Sequence, residues 1–568
     1  MKTTKNIARL AVTAGLTAAL SFGGVMAPVA MAFAEDAAAT ANGSVTITNV
    51  EGNHTEFDGY QIFKADVATV EGKTVVSNIT WANGSVKAAV EGVIKNEEPT
   101  YKGKTAQDAA DWITDKVTGT NDTYRVGPDN IAYKIAAAVD DLTDKKTTSA
   151  GVASGLEHGY WLFVTDAGTI GDGEAGTSPI FAVVGSTPVN VNEKTGIPTV
   201  EKKIVSDADG KEHDAADSQI GQDVTYNLYG TVAENFDKYD TYFYEFSDQI
   251  SKGLTLQPGA KVYLYDTVSK AKGDLTHMNG TEITTNFTQS GETVDSATNA
   301  KTTTWTCQNL KDVRGITKQS CIVVSYTARI NEHAIVAGTE GNDNAVILKY
   351  SNNPMDKDSK GQTPPDTVKD YTYGLRINKV DLGTEKALKG AKFTITTKGD
   401  ENSANVKYVK DDGTLSADRV ELPTDDNGVL KLKGLDAGVY TVKEVTPPSG
   451  YTAIEQFTFE IKPTMKDNDP NAGLTDLTHD LNPNNQVGKV IAGLTDENAG
   501  DNTLMARGNS EIDDEGYYNI TVGNTKKINL PLTGLNGVTF TWIAGGAVLC
   551  IGVAHLIRSR KRDEGSEE

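Results

Sequence analysis

Hydrophobic and polar residues alternate along most of the chain, and this period of two predicts β-strands. One region of the first third differs, because apolar residues recur at helical spacing in residues 109–117 and 131–139. Strand patterns resume at Tyr160–Val164 and Ile180–Val184. The pattern therefore predicts helices packed against a sheet in this part of the chain.

Beyond about residue 196, almost every recognisable segment has the strand pattern. The predicted strands are Val224–Leu228, Thr241–Phe246, Val262–Tyr265, Ile322–Ala328, Ala345–Tyr350, Leu375–Lys379, Ala391–Thr396, Val429–Leu432, Val439–Val445, Gln456–Ile461 and Tyr518–Asn524. Clusters of Gly, Asp and Asn separate them, which is typical of antiparallel sandwiches. The predicted fold class is mainly β, with tandem β-sandwich domains and helices inserted in the first.

Turn-rich segments divide this pattern into domains. Residues 194–198 and 355–369 have the composition of connectors, and the low hydrophobic density of residues 463–515 predicts a long, partly ordered loop. The predicted divisions are a signal peptide at 1–34, a first domain at 35–195, a middle domain at 196–370, a third domain at 371–527 and a sorting segment at 528–568.

The N-terminus has the pattern of a secretory signal peptide. Lys2, Lys5 and Arg9 precede the apolar stretch Leu10–Leu20, and an Ala-x-Ala cleavage site follows at residues 32–34. We therefore expect export of the chain.

The C-terminus combines a short motif, an apolar run and a basic cluster. The motif is Leu530, Pro531, Leu532, Thr533 and Gly534. The apolar run 538–557 is long enough to span a hydrocarbon core of about 30 Å, and the basic cluster 558–562 would stay on the cytoplasmic side. The motif resembles the L-P-x-T-G substrate of sortases, which cut between Thr and Gly and transfer the Thr acyl group to an amine. That resemblance implies a protein anchored covalently to the cell wall.

Charge and composition exclude several functions. The net charge of -23 over 568 residues provides no basic footprint for nucleic acid.

Cys307 and Cys321 flank a turn-containing segment, and an oxidising compartment would permit a disulfide between them. The sequence contains no complete calcium loop, phosphate loop, zinc spacing or nucleophile–base pattern. We accordingly predict no metal, no cofactor and no enzymatic activity.

Polar residues occupy predicted core positions in the third domain. Lys379, Glu444 and Asn524 each stand two residues beyond an apolar residue on the same face of a predicted strand, because successive side chains alternate. Burying these groups unpaired would be costly. We therefore expect the three side chains to meet.

The middle domain repeats this arrangement. Lys202 lies on its first predicted strand, Asp248 on a central strand and Asn352 at the end of its last strand. Lys203 and Asn353 are the alternatives, but alternation places both on the face opposite the apolar neighbours.

This placement of lysine, acid and asparagine resembles the sortase-assembled pilins of Gram-positive bacteria. Residues 441–451 look like the family's E-box, and residues 246–248 and 350–354 look like its counterparts in the middle domain. The resemblance implies immunoglobulin-like domains of the collagen-adhesin type. It also implies a spontaneous isopeptide bond in each of the two domains.

The implied bonds join Lys202 to Asn352 and Lys379 to Asn524. Asp248 and Glu444 would polarise the amide carbonyl and move protons, because burial favours a neutral amine beside a protonated acid. Each such bond forms in a single turnover that modifies the protein itself, so the protein is not an enzyme.

A pilin also needs a lysine that accepts the next subunit. Alternation with Val189 and Val191 turns Lys194 outward at the first domain boundary, which suits an acceptor of Thr533. The family's usual motif places tyrosine and proline before this lysine, whereas Asn192 and Glu193 stand here.

The predicted function is that of a major shaft pilin on the Gram-positive cell surface, supporting adhesion. Its predicted partners are pilus-specific and housekeeping sortases, further copies of itself, minor pilins, peptidoglycan and a host receptor. The alternative is a singly anchored adhesin or minor pilin that binds host glycan or matrix protein.

Overall fold

The computed structural model describes residues 42–70, 73–118, 130–193, 195–336, 340–397, 405–454, 456–466, 474–481, 490–491 and 517–527. The predicted signal peptide, Lys194 and the motif at 530–534 lie outside the described residues, as does the apolar run 538–557. Within the described ranges, no helix is both long and apolar enough to cross a membrane.

The first domain combines two sheets with helices. Its described elements are β1 (Gly43–Thr48), β2 (Phe57–Val70), β3 (Lys73–Trp81), α1 (Gly84–Glu97), α2 (Ala106–Thr118), α3 (Ile131–Val139), β4 (Lys146–Thr147), β5 (Val152–Leu156), β6 (Gly159–Thr165), β7 (Ile180–Val184) and β8 (Val189–Asn192). One sheet has the order β5-β1-β8, and the other has the order β3-β2-β6-β7 with β4 on β2. Asn83 and Asn130 cap α1 and α3 by accepting hydrogen bonds from backbone N–H groups.

The middle domain is a sandwich of two sheets. Its elements are β9 (Val200–Val205), β10 (Glu212–His213), β11 (Ala215–Asp217), β12 (Asp223–Thr231), β13 (Tyr244–Ile250), β14 (Leu254–Leu256), β15 (Lys261–Tyr265), α4 (Val268–Lys272), β16 (Thr281–Glu282), β17 (Thr288–Gln289), β18 (Thr293–Val294), β19 (Lys301–Cys307), β20 (Cys321–Ile330), β21 (Asn342–Ser351), β22 (Lys360–Gln362) and β23 (Asp366–Tyr371). The lysine sheet, named for Lys202 on β9, has the order β10-β9-β12-β20-β15-β16, with β14 on β20. The facing sheet has the order β11-β23-β21-β13-β19-β17.

The third domain is a second sandwich. Its elements are β24 (Tyr373–Asp381), β25 (Lys392–Thr397), β26 (Tyr408–Val409), β27 (Leu415–Ser416), β28 (Leu422–Pro423), β29 (Val429–Leu435), β30 (Gly438–Thr446), β31 (Phe457–Met465), β32 (Leu474–Leu481), β33 (Val490–Ile491) and β34 (Tyr517–Asn524). The sheets have the orders β29-β24-β34-β33 and β27-β26-β25-β30-β31-β32. The first and last strands, β24 and β34, are parallel neighbours.

The mainly β fold class is confirmed, but two segments differ from prediction. The predicted connector at 355–369 contains β22 and most of β23, which pair with β21. The predicted loop at 463–515 begins inside β31, and β32 continues the sheet beside it. Both segments are rich in polar residues, so their hydrophobic pattern is weak. Backbone hydrogen bonds to a neighbouring strand nevertheless keep them in the sheet.

The predicted disulfide between Cys307 and Cys321 is wrong, since both residues are buried free thiols. Cys307 ends β19 in one sheet and packs in the core between the sheets, whereas Cys321 begins β20 in the other sheet. Alternation sends Ile322 into that core and turns Cys321 to the opposite face, against Tyr229 and Tyr265. The two sulfurs therefore lie in separate hydrophobic clusters.

Candidate cross-linking sites

The third domain brings its three predicted residues together. Lys379 lies on β24 and Asn524 ends β34, so the parallel pairing of these strands places both residues near the same end of one sheet. Glu444 reaches them from β30 in the facing sheet. All three side chains are buried, as their predicted core positions require.

The contacts of this site align an amine with an amide carbonyl. The Lys379 Nζ donates to the Asn524 Oδ1 at 2.5 Å and to the carbonyl oxygen of Val522 at 2.9 Å. The Asn524 Nδ2 donates to the two carboxylate oxygens of Glu444 at 2.9 and 3.1 Å. The backbone N–H of Ile454 donates to Glu444 at 2.9 Å and fixes its orientation.

Burial sets the charge state of this amine. Desolvation lowers the pKa of Lys379 to about 8, and the negative charge of Glu444, whose Oε1 is 3.9 Å from Nζ, acts in the opposite direction. A neutral, nucleophilic amine is consequently accessible near physiological pH.

The middle-domain site contains four residues from four strands: Lys202 on β9, Asp248 on β13, Tyr326 on β20 and Asn344 on β21. The Lys202 Nζ contacts one carboxylate oxygen of Asp248, the Asn344 Oδ1 and, at 3.1 Å, the Tyr326 hydroxyl. That hydroxyl donates to the second carboxylate oxygen at 2.6 Å and accepts from the Asn344 Nδ2 at 2.7 Å.

Aromatic rings enclose this site. The Tyr326 ring stacks between Tyr226 and Trp305, with centroid distances of 5.5 and 5.4 Å. In this buried environment desolvation lowers the pKa of Lys202 to about 8 and raises the pKa of Asp248. The shifts bring both groups closer to their neutral forms.

The assignment of Asn352 to the middle-domain site is corrected by the structure, which brings Asn344 to Lys202. Antiparallel pairing of β13 with β21 sets Asp248 opposite Val346, two residues from Asn344. Asn352 lies six residues beyond Val346, or about 20 Å along a strand. Its Oδ1 accepts from the Ser359 hydroxyl at 2.7 Å instead.

The alternatives weighed for the middle domain lie elsewhere. Lys203 is only half-buried and forms ion pairs with Asp214 at 2.5 Å and with Glu201 at 3.2 Å. Asn353 accepts from the backbone N–H of Met355 at 3.0 Å. Lys202 therefore points into the core, as alternation predicts, and Lys203 does not.

The sequence pattern alone did not identify Asn344 and Tyr326 as site residues. Asn344 shares the alternating face of Val346, and Tyr326 shares that of Val324, so both carried the signal of a polar group at a core position. Choosing Asn344 required the register between β13 and β21, and finding Tyr326 required knowing that β20 faces β13.

The first domain contains a buried acid–amide pair of a related kind. The Asn53 Nδ2 donates to both carboxylate oxygens of Glu193 at 2.8 Å, and the backbone N–H of Val50 donates to the same carboxylate at 3.2 Å. Burial raises the pKa of Glu193. This pair anchors the chain one residue before Lys194. Among the described residues, no group of His, Cys, Asp and Glu is arranged to hold a metal.

Several solved structures to which this chain is similar are structures of pilins. The T6 backbone pilin of serotype M6 Streptococcus pyogenes is 18% identical over 85% of this chain and 98% of that chain, with a TM-score of 0.48. The major pilin SpaD from Corynebacterium diphtheriae is 18% identical over 86% and 98%, with a TM-score of 0.44. The major pilin SpaA from the same organism is 13% identical over 85% and 100%, with a TM-score of 0.42.

Comparison with protein-family models identifies one segment. The search of curated proteins gave no match. Residues 374–473, which include Lys379, Glu444 and the predicted E-box, match the model described as SpaA: Prealbumin-like fold domain. The predicted resemblance to Gram-positive pilins is thus confirmed where its most specific internal motif lies, and the third domain carries a SpaA-type prealbumin-like fold.

Proposed function

We propose that this protein is a shaft subunit of a covalently polymerised pilus, whose middle and third domains are each closed by an internal isopeptide bond. The proposed bonds join Lys202 to Asn344 and Lys379 to Asn524. The observation that carries this proposal is that each of two fully buried amines contacts an asparagine side-chain oxygen beside a buried acid.

The chemistry needs no external reagent. The neutral lysine Nζ attacks the asparagine Cγ, one proton passes from Nζ to the asparagine Nδ2, the Cγ–Nδ2 bond breaks and ammonia leaves. In the third domain Glu444 already contacts Nδ2, so it can deliver the proton to the leaving group. Fixed proximity of this kind can supply an effective molarity of roughly 10⁵ M or more, which compensates for the low reactivity of an amide.

The position of each bond suits a fibre under tension. Each bond connects the first strand of a domain to a strand near its C-terminal end, so it closes nearly the whole domain into a covalent ring. By analogy with disulfides across long loops, such a ring stabilises the fold by restricting the unfolded chain.

Assembly of the fibre rests on groups outside the described residues. In the proposed scheme a sortase cleaves after Thr533 and joins it to Lys194 of the next copy, and a housekeeping sortase attaches the last subunit to peptidoglycan. The buried contacts of Glu193 hold the chain in place up to the residue before Lys194. The proposed location is the Gram-positive cell wall.

Intact mass tests the internal bonds. The soluble chain 35–533 should be lighter than its sequence by two ammonias, and Glu444→Ala or Asp248→Ala should each restore one. Lys203→Ala is the matched control, because its ion pairs lie outside the site, and it should keep both losses. A wild-type mass equal to the sequence mass would refute the bonds.

Polymerisation distinguishes the shaft from a singly anchored adhesin. Cell-wall extracts from cells that express the pilus sortase should contain an SDS-resistant ladder of this protein, and Lys194→Ala should collapse it. Lys211→Ala, which changes an exposed lysine of the neighbouring domain, should leave the ladder intact. A single wild-type band in the presence of the sortase would favour the adhesin.

A further inference from the structure

We propose that the Tyr326 hydroxyl carries the proton from Asp248 to the departing amide nitrogen of Asn344 during bond formation in the middle domain. This inference rests on the proposed isopeptide chemistry and adds a fourth reacting residue to one of the two sites.

The contacts around the acid support this role. In the third domain both carboxylate oxygens of Glu444 contact the Nδ2 that leaves as ammonia. In the middle domain one oxygen of Asp248 contacts the Lys202 Nζ, and the other accepts from the Tyr326 hydroxyl at 2.6 Å. The leaving nitrogen of Asn344 instead contacts that hydroxyl, at 2.7 Å.

The two acids differ by one methylene. Glu444 is long enough to reach across the sandwich to the Asn524 amide. Asp248 lies on β13, which pairs with the strand that carries Asn344, and its shorter side chain contacts Lys202 instead. The Tyr326 hydroxyl occupies the position between acid and amide. Asp248 therefore reaches the Asn344 Nδ2 through the Tyr326 hydroxyl, whereas Glu444 contacts the Asn524 Nδ2 directly.

The proposed step balances without an added reagent. As the Lys202 Nζ bonds to the Asn344 Cγ, Nζ gives one proton to Asp248. Asp248 passes a proton to the Tyr326 oxygen, whose own hydrogen turns to the Asn344 Nδ2. The Cγ–Nδ2 bond then breaks, ammonia leaves, and Tyr326 and Asp248 regain their starting protonation states. Burial raises the pKa of Tyr326 well above its ordinary value, so the hydroxyl is protonated at the start.

The test measures how fast each bond forms after a short pulse of cell-free synthesis of chain 35–533. Mass spectrometry of digested samples follows the Lys202–Asn344 and Lys379–Asn524 peptides separately. We expect Tyr326→Phe to slow the first bond by about 100-fold, the lower range for general acid–base assistance, and to leave the second unchanged. Formation of the second bond in the same chain is the internal control for synthesis and folding.

Tyr244→Phe is the matched control, because its ring is buried in the same core but its hydroxyl donates to the backbone carbonyl oxygen of Thr231 at 2.8 Å. It should form both bonds at the wild-type rate. Lengthening the acid in Asp248→Glu/Tyr326→Phe should recover at least tenfold of the lost rate, because a glutamate can reach Nδ2 directly. A packing role for Tyr326 predicts no such recovery.

The outcomes separate this inference from the proposal beneath it. Wild-type chains with neither bond would refute the isopeptide chemistry itself. Wild-type chains with both bonds, combined with an undiminished first bond in Tyr326→Phe, would overturn only the role of Tyr326. A slow Tyr326→Phe variant that Asp248→Glu fails to recover would overturn it as well.

Discussion

The two candidate cross-linking sites each combine a lysine, an acid and an asparagine but distribute them differently over the sandwich. In the third domain Lys379 and Asn524 lie on neighbouring strands of one sheet, and Glu444 comes from the other. In the middle domain Lys202 lies in one sheet, while Asp248 and Asn344 lie on neighbouring strands of the other. One bond would therefore fasten two strands side by side, and the other would fasten the two sheets together.

This comparison identifies the features that the proposed chemistry would need at both sites. Strand order and the sheet that supplies the acid both change between the domains. Burial of the amine, its contact with an amide oxygen and an acid in the same dry core remain the same. A search for such sites should therefore look for three polar residues at facing core positions, whatever the connectivity of the strands.

The largest expected effect distinguishes Asn344 from Asn352. Asn344→Ala should remove the middle-domain bond and lower the free energy of unfolding by about 5 kcal/mol, the value for closing a loop of this length. Asn352→Ala should keep the bond and cost only about 1 to 2 kcal/mol, because it removes the hydrogen bond with Ser359. Denaturant unfolding measures both, and cross-linked peptides identify the bond. The reverse ranking would restore Asn352 to the site.

The next effect concerns the reach of the acid in the third domain. Glu444→Asp should withdraw the carboxylate from Asn524 by more than 1 Å and slow bond formation by about 100-fold. Pulse synthesis followed by peptide mass spectrometry gives the rate, and the middle-domain bond in the same chain is the control. An unchanged rate would mean that direct contact of Glu444 with the leaving nitrogen is unimportant.

A smaller effect is the pH dependence of variants that keep an unbonded lysine. In Asn524→Ala the folded Lys379 would release its proton near pH 8, whereas the unfolded lysine keeps it until its ordinary pKa. The unfolded chain binds more protons between these values, so stability should rise with pH there, by on the order of 2 kcal/mol. Lys379→Met/Asn524→Ala lacks the amine and should not show this rise.

In the middle domain the pKa of the acid adds a second contribution to the pH dependence of stability. In Asn344→Ala the folded Asp248 also has a raised pKa, so the folded chain binds more protons just above the acid's ordinary pKa. Stability should first fall with rising pH and then rise through the window of Lys202. Thermal unfolding of Asn344→Ala over pH 4 to 10 measures both parts of this profile, and a profile without the initial fall would contradict the raised pKa of Asp248.

The smallest expected effect concerns the thiols. A reducing agent should change the free energy of unfolding of chain 35–533 by less than about 0.5 kcal/mol, because Cys307 and Cys321 lie in separate clusters. Alkylation should label both thiols, and only after unfolding. A clear loss of stability on reduction would restore the predicted disulfide.

Much of the third-domain site was predictable because one-residue alternation identifies the face of each strand. That rule alone places Lys379, Glu444 and Asn524 on the core-facing sides of their strands, and in the structure the three side chains contact one another. The middle domain needed more, because Asn344 and Asn352 share a face and only the pairing of β13 with β21 separates them. The disulfide prediction failed for the same reason: closeness in sequence gave no information on which sheet carries each cysteine.

The parallel pairing of β24 with β34 has a consequence for resistance to proteolysis. With Lys379 bonded to Asn524, a pulling force would enter the third domain along β24, cross the isopeptide and leave after Asn524. Every loop between these two residues would then be part of a ring that the isopeptide closes covalently. A protease that cut one of those loops would nick the domain without separating the chain into two pieces, because both ends of the break would remain joined through the isopeptide.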